Sequence, residues 1–213
     1  MDELGLDCEL IVVDDGSLDG TYDVANSVAM ESRRIKVMGC SPNRGKGHAV
    51  LRGFRLSSGE IVGFVDADLE VGPEQFAYYF EKLKMADVVV ASKRHPGSRI
   101  VYPFHRKFLS RAFNLLVRML FGLRVSDTQC GFKFFRWEVL SDVVPRLRIK
   151  RFAFDVELLV LAKRSGYRIV EGPISFRHGE DRIKFKDIFR MALDLLSIFY
   201  RLHFTKIYDR VIA

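Results

Sequence analysis

The sequence has little that would brace it covalently. It contains three cysteines, Cys8, Cys40 and Cys130, far apart and without a CxxC pair. That spacing argues against a zinc site, and the odd count argues against a disulfide framework. Unpaired thiols point to a reducing compartment. No apolar run reaches the roughly 18 residues expected of a membrane-spanning helix. The opening "MDELGLDCE" is acidic, unlike a secretory signal peptide. Internal repeats, low-complexity tracts and flexible linkers are also missing. These absences exclude a disulfide scaffold, a repeat array and a chain that crosses a bilayer by itself. A chain that lies on a membrane remains open.

What is present is globular. The 213 residues are 48% hydrophobic and 29% charged, which is ample apolar material for one large domain. The formal net charge is +7. Excess base calls for an anionic partner: nucleic acid, anionic lipid or a phosphorylated substrate. The basic residues follow helix faces and loops, without an aromatic stacking platform or recognition-helix motif, so no nucleic-acid partner is expected.

In the first half, apolar runs alternate with helical patterns. Strands are expected at "ELIVV" (Glu9 to Val13), "IKVM", "IVGFV" and "DVVVA" (Asp87 to Ala91). Helices are expected from about Asp19 to Arg33, from Gly45 to Ser57, and from Pro73 to about Lys84. Strands joined by helical crossovers predict an α/β fold with a mostly parallel sheet flanked by helices. Continuous apolar strands fit a sheet covered on both faces. The second half differs. "HRKFLSRAFNLLVRMLF" (His105 to Phe121) is amphipathic, with Lys107, Arg111, Asn114 and Arg118 on one polar stripe. "CGFKFF" reads as a strand, "FDVELLVLAKRSGY" as a helix ending near Gly166, and "YRIVEGPISF" as strands interrupted at Gly172-Pro173. Lys184 to about His203 is a second amphipathic helix with Asp187, Arg190, Asp194, Ser197 and Arg201 on its polar stripe.

Ligands of open parallel sheets bind at the carboxyl ends of the strands. Here the first strand runs into "DDGSLDGT" and the third into "DADLE". Asp14, Asp15, Asp66, Asp68 and Glu70 would share one mouth, where their mutual repulsion calls for a cation. A hard divalent ion, Mg²⁺ or Mn²⁺, is the simplest candidate. A lone D-x-D is more often a helix cap or turn; two acidic clusters ending two strands of one sheet favour the ligand. "NRGKGHAV" opens a helix with glycines and cations, which suits phosphate, but it is not a Walker A loop. Asp155 and Glu157 in "FDVELL" lie on different helix faces. They therefore read as structural or loop-ordering groups rather than a catalytic pair.

Taken together, "VVDDGSLDGT", "NRGKGHAVLRGF", "GEIVGFVDADLE", "SDTQCGFKFFR", "RFAFDVELLVLAKRSGYRIVE" and "GEDRIKF" resemble the family 2 glycosyltransferases. Within that family the likeness is to the polyprenyl-phosphate (dolichyl-phosphate) mannosyl- and glucosyltransferases. The resemblance implies the GT-A nucleotide-diphospho-sugar transferase fold over residues 1–183. It implies a C-terminal amphipathic interface helix over 184–213. It also implies that the family's first strand and its loop, which precede "VVDDGS" in relatives, are missing ahead of Glu9.

The same resemblance implies a reaction: inverting transfer of a hexose from UDP-glucose or GDP-mannose to polyprenyl phosphate. Asp66 and Asp68, with Glu70, would hold Mg²⁺ or Mn²⁺ on the donor pyrophosphate. Asp14 or Asp15 would meet the nucleotide, and Lys46 its phosphates. Lys93, Arg94 and Arg106 would guide the acceptor phosphate. The segment holding Arg177, His178, Arg182 and Lys184 resembles a loop that closes on the donor. The expected partners are the nucleotide sugar, the lipid phosphate, a membrane surface on its cytoplasmic face and a membrane-anchoring protein. Two other functions fit the same motifs: transfer to a polysaccharide or protein acceptor, or an inactive membrane-associated scaffold.

Overall fold

The computed structural model describes Gly5 and residues 7–67, 71–98, 104–151, 153–175 and 185–209. For Pro73, 104–109 and 185–189 it describes the backbone alone. Asp68, Glu70, Arg177, His178, Arg182 and Lys184 therefore lie outside the described residues, and so does the side chain of Arg106.

The elements run β1 (Leu10–Asp14), α1 (Thr21–Ala29), β2 (Ile35–Gly39), α2 (Lys46–Leu56) and β3 (Ile61–Val65). Next come α3 (Phe76–Leu83), β4 (Val88–Ser92), α4 (Phe104–Phe121), β5 (Phe132–Arg136) and α5 (Trp137–Val143). Helix α6 (Phe154–Arg164), β6 (Ile169–Pro173) and α7 (Phe185–Tyr200) complete the order, and α7 runs into a π turn at Arg201–Thr205. The α/β class is as expected, and α1 is shorter than its pattern implied. Among the described residues no helix is long and apolar enough to cross a membrane.

Among the described residues the strands form two sheets rather than one. β1 and β2 pair in parallel, and the other sheet has the order β3-β5-β4-β6. In that sheet β5 is antiparallel to both its neighbours, while β4 and β6 are parallel. The expectation that "DDGS" and "DADLE" end strands of one sheet is thus corrected: β1 and β3 have no ladder between them. Helix α2 joins the two sheets instead. It packs on β1, and its Phe54 lies against Phe64 of β3 and Phe135 of β5.

Strands β4 and β5 are covered on both faces, and β4 accordingly reads as a continuous apolar run, whereas the edge strand β3 alternates, with Ile61, Gly63 and Val65 exposed on one face. Val88 and Val90 face α6, while Val89 and Ala91 face the aromatic layer of α3 with Phe132 and Phe134. Helix α6 is the centre of the core, buried from Phe154 to Ala162 on every side. Helices α4 and α7 pack together at one side. Asn114 is not on the solvent stripe expected for it. It is buried, and its amide donates to the carbonyl of Ser126.

Candidate active site

The carboxyl ends of β3 and β4 open at one edge of the sheet, beside the start of the antiparallel β5. The register sets Val65 opposite Phe132, so Asp66 falls beside Gly131. The Asp66 amide donates to the Gly131 carbonyl at 2.9 Å. The Asp66 carboxylate then folds over the Gly131 α-carbon. A Cβ at that position would lie 1.9 Å from Oδ2, so glycine there lets the carboxylate take this position. Lys46, the first residue of α2, reaches across from the other sheet. Its Nζ lies 2.7 Å from Oδ1 and 2.8 Å from Oδ2 of Asp66. The Asp66 side chain keeps 38% of its surface open to solvent, and Lys46 keeps 23%.

A second ion pair lies behind the first. Lys133 of β5 and Asp155 of α6 are fully buried, 2.5 Å apart, and the Lys133 ammonium also donates to the Cys130 carbonyl at 2.6 Å. A buried lysine needs this much compensation. Both ammonium groups sit over the Phe64 ring, Lys133 at 4.9 Å and Lys46 at 5.7 Å from its centroid. Burial pulls the Lys46 pKa down, but Asp155 and then Asp66 together pull harder, so its ammonium is held above its ordinary value. Charges therefore alternate inward from solvent: Asp66, Lys46, Asp155, Lys133.

The loops after β1 and β2 shape the other side. Asp14 is buried and accepts from the amide and hydroxyl of Ser17, closing its own turn. Asp15 accepts from the amides of Arg44 at 3.0 Å and Gly45 at 2.6 Å, which pins the glycine-rich loop. Gly45 has a φ of 100°, and a Cβ there would meet the Lys150 carbonyl at 2.9 Å. This loop brings together one donor atom each of Asp15, Cys40 and His48, all within 4.8 Å of one another. The Cys40 sulfur accepts from Arg52, and the Asp15 oxygens are used by the loop. Burial and the cation of Arg44 hold the His48 imidazole below its ordinary pKa.

The loop after β4 is tied to the segment before β5. The Lys93 amide donates to Asp127, and the Arg94 guanidinium donates to Ser110 of α4 at 2.6 Å. Glu171 of β6 accepts from the amide and hydroxyl of Ser126, each at 2.7 Å. Thr128 Oγ1 and Gln129 Nε2 are buried beside this network without a hydrogen-bond partner among the described residues. Asp127, Gly131, Lys133 and Glu171 are site residues that the sequence reading did not single out. The expected loop-ordering role of Glu157 is met: fully buried, it accepts from the amides of Arg148 and Ile149 and from the Tyr208 hydroxyl.

The structure thus brings Asp66, Lys46 and the Asp15 loop together, and sets Lys93 and Arg94 at the same end of the larger sheet. Asp66 presents hard oxygen donors at a solvent-facing strand end, in a cradle that a Cβ would fill. That donor chemistry fits Mg²⁺ or Mn²⁺. The Asp15–Cys40–His48 group is a softer, mixed donor set.

The glycosyl transferase family 2 model matches residues 2–144. The chain is 33% identical to a dolichyl-phosphate beta-glucosyltransferase of Trichomonas vaginalis, over 89% of this chain and 59% of that protein. It is 35% identical to an undecaprenyl-phosphate mannosyltransferase of Micrococcus luteus, over 79% of this chain and 71% of that one. The chain therefore spans about three-fifths of the Trichomonas relative. Among solved structures, it resembles glucosyl-3-phosphoglycerate synthase from Mycobacterium tuberculosis, crystallised with Mn²⁺, UDP and glucosyl-3-phosphoglycerate. The TM-score is 0.64 at 20% identity, covering 90% of this chain and 67% of that one. The family match, the relatives and the α/β frame around Asp66 agree: the chain belongs to glycosyl transferase family 2 and has a GT-A-like fold.

Proposed function

We propose that this chain is the catalytic body of a metal-dependent hexosyltransferase that uses polyprenyl phosphate as acceptor. The observation that carries this reading is the solvent-facing Asp66 carboxylate, seated over Gly131 and gripped by Lys46 at the end of β3. The names of the dolichyl- and undecaprenyl-phosphate relatives supply the acceptor class.

In this proposal Asp66, Asp68 and Glu70 hold Mg²⁺ or Mn²⁺. The bound ion would act as a Lewis acid on the departing nucleoside diphosphate. Asp14 and Asp15 line the nucleotide end, and Lys46, Arg177 and Lys184 meet the donor's phosphates. Lys93, Arg94 and Arg106 orient the acceptor. A phosphate oxygen of the lipid attacks the anomeric carbon, the bond from that carbon to the diphosphate oxygen breaks, and configuration inverts. An already ionised phosphate needs no strong base, so positioning and charge stabilisation carry the reaction.

The amphipathic α4 and α7, the first of them basic, serve as the membrane-facing side, at the cytoplasmic face. Residues 1–183 form the catalytic domain and 184–213 the interface segment, and an anchoring protein is the further partner. The test is incubation of the protein and membranes with Mg²⁺ or Mn²⁺ and a panel of labelled nucleotide sugars, UDP-glucose and GDP-mannose among them. Label should enter polyprenyl phosphate, and Asp66→Asn and Asp68→Ala should abolish it. Label passing to polysaccharide or protein without lipid would refute the acceptor assignment.

A further inference from the structure

Lys46 occupies both oxygens of the carboxylate that the proposed function gives to a metal. Its ammonium takes up a lone pair on each oxygen, and its charge opposes the approach of a divalent ion to either. The ammonium also has a second anion within its field, because Asp155 as well as Asp66 holds its pKa up. Asp155 is in turn fixed from behind by Lys133, at 2.5 Å and without solvent access. The four groups sum to zero charge. Displacing Lys46 from Asp66 would free a positive charge beside the divalent ion, and a diphosphate arriving with the ion would offset it.

We propose that Lys46 is an exchangeable counter-ion. Its ammonium neutralises Asp66 while no metal is present, and it moves to the donor's diphosphate when a divalent ion takes Asp66. Asp155, anchored by Lys133, is the positioning residue that keeps an opposite charge beside Lys46 in both states. This rests on the proposed metal and donor binding at Asp66, and extends it by making the two ligands depend on each other. A lysine that competes with the metal and attracts the diphosphate makes metal and nucleotide bind cooperatively, and the coupling is reciprocal.

The test uses Mn²⁺ and UDP as probes. Mn²⁺ binding is followed by the spin-resonance signal of the free ion, with and without UDP, in the parent protein, Lys46→Met, Lys46→Gln and Asp155→Asn. Removing the lysine should tighten Mn²⁺ binding in the absence of UDP by about fivefold or more. The same change should weaken UDP binding and shrink the effect of each ligand on the other. Asp155→Asn leaves Lys46 with Asp66 alone and should weaken Mn²⁺ binding, the opposite sign. A merely structural lysine would give no such gain in metal affinity. If the parent binds Mn²⁺ and UDP but both Lys46 variants bind Mn²⁺ alone no better than the parent, the counter-ion role is refuted and the site assignment stands. If the folded parent binds neither probe, both fall.

Discussion

The α-carbon of Gly131 lies directly beneath the carboxylate of Asp66, so closely that a Cβ would stand 1.9 Å from Oδ2. The position tolerates nothing larger unless Asp66 or the start of β5 moves. Gly131→Ala should therefore damage the site more than the fold. Overpacking of this kind costs about 1–3 kcal/mol of stability. A displaced ligand group should cost on the order of a hundredfold in metal-supported transfer. Denaturant unfolding and Mn²⁺ titration of the same variant separate the two effects. Parental Mn²⁺ affinity in a folded Gly131→Ala protein would show that the cradle has no part in binding.

The buried pair of Lys133 and Asp155 should behave as a unit. Removing one partner leaves an uncompensated charge in the core, at about 3–5 kcal/mol. Lys133→Met and Asp155→Leu should each destabilise the protein by that much, and the double substitution by much less than the sum. Urea unfolding of the three variants gives the coupling directly. Strict additivity would mean that the 2.5 Å contact has no energetic consequence.

Part of this ladder was legible in the sequence. In "FKFF" the period of two sets Lys133 on the same face as Phe135, a buried face, so the lysine needed a buried counter-charge. "FDVELL" offers two carboxylates in an otherwise apolar helix, and Asp155 is the one that answers. The pairing itself depends on how α6 crosses β5, which no local pattern encodes. The third strand and the Asp66 that ends it were readable for the opposite reason: the apolar run and its acidic end are both local. The seat of Asp66 on Gly131 was not, because it follows from the register of two strands far apart in the chain. The division into two sheets was equally hidden, since a strand's own pattern does not name its neighbour. Asn114 misled for a simpler reason: a polar residue on a polar stripe reads as solvated until the Ser126 carbonyl is found against it.

Glu9 should make stability depend on acid. Its carboxylate accepts from Lys36 at 2.7 Å, and from the Ser58 amide at 2.7 Å and hydroxyl at 2.8 Å, tying the β1–β2 sheet to the loop that enters β3. The Lys36 hydrogen bond leads in holding its pKa below the usual 4.5, against the pull of burial. For a depressed carboxylate, the stabilisation is present above the unfolded value and is lost as pH falls through the folded one. Glu9→Gln should cost about 1 kcal/mol at neutral pH. The gap between parent and variant should close as pH falls below 4.5 and through the lower folded value. Unfolding midpoints measured across that range check it, and a gap that persists in strong acid would contradict the assignment.

The paired α4 and α7 leave a broad apolar side facing outward. Leu115 and Met119 of α4 and Leu193, Leu196 and Tyr200 of α7 are each at least half exposed, as is Phe204 in the π turn that follows. Arg111, Arg118 and Arg190 are exposed on the same two helices. The inner sides of these helices are satisfied separately, by Val117, Leu195 and Ile198 in the core. The outward residues can therefore change without emptying the interior. A surface of this kind suits the boundary of a bilayer with anionic headgroups. Burying a leucine there is worth about 1.5–3 kcal/mol, and its loss on replacement by a charge should weaken binding roughly tenfold or more. Leu193→Glu and Leu196→Glu should each reduce co-sedimentation with vesicles of acidic phospholipid while leaving the unfolding midpoint in place. Raising the salt concentration should weaken the parent as well, because the arginine contribution is screened. Unchanged vesicle binding in the double variant would move the membrane contact to another face. A collapse in stability would mean instead that Leu193 and Leu196 support the fold.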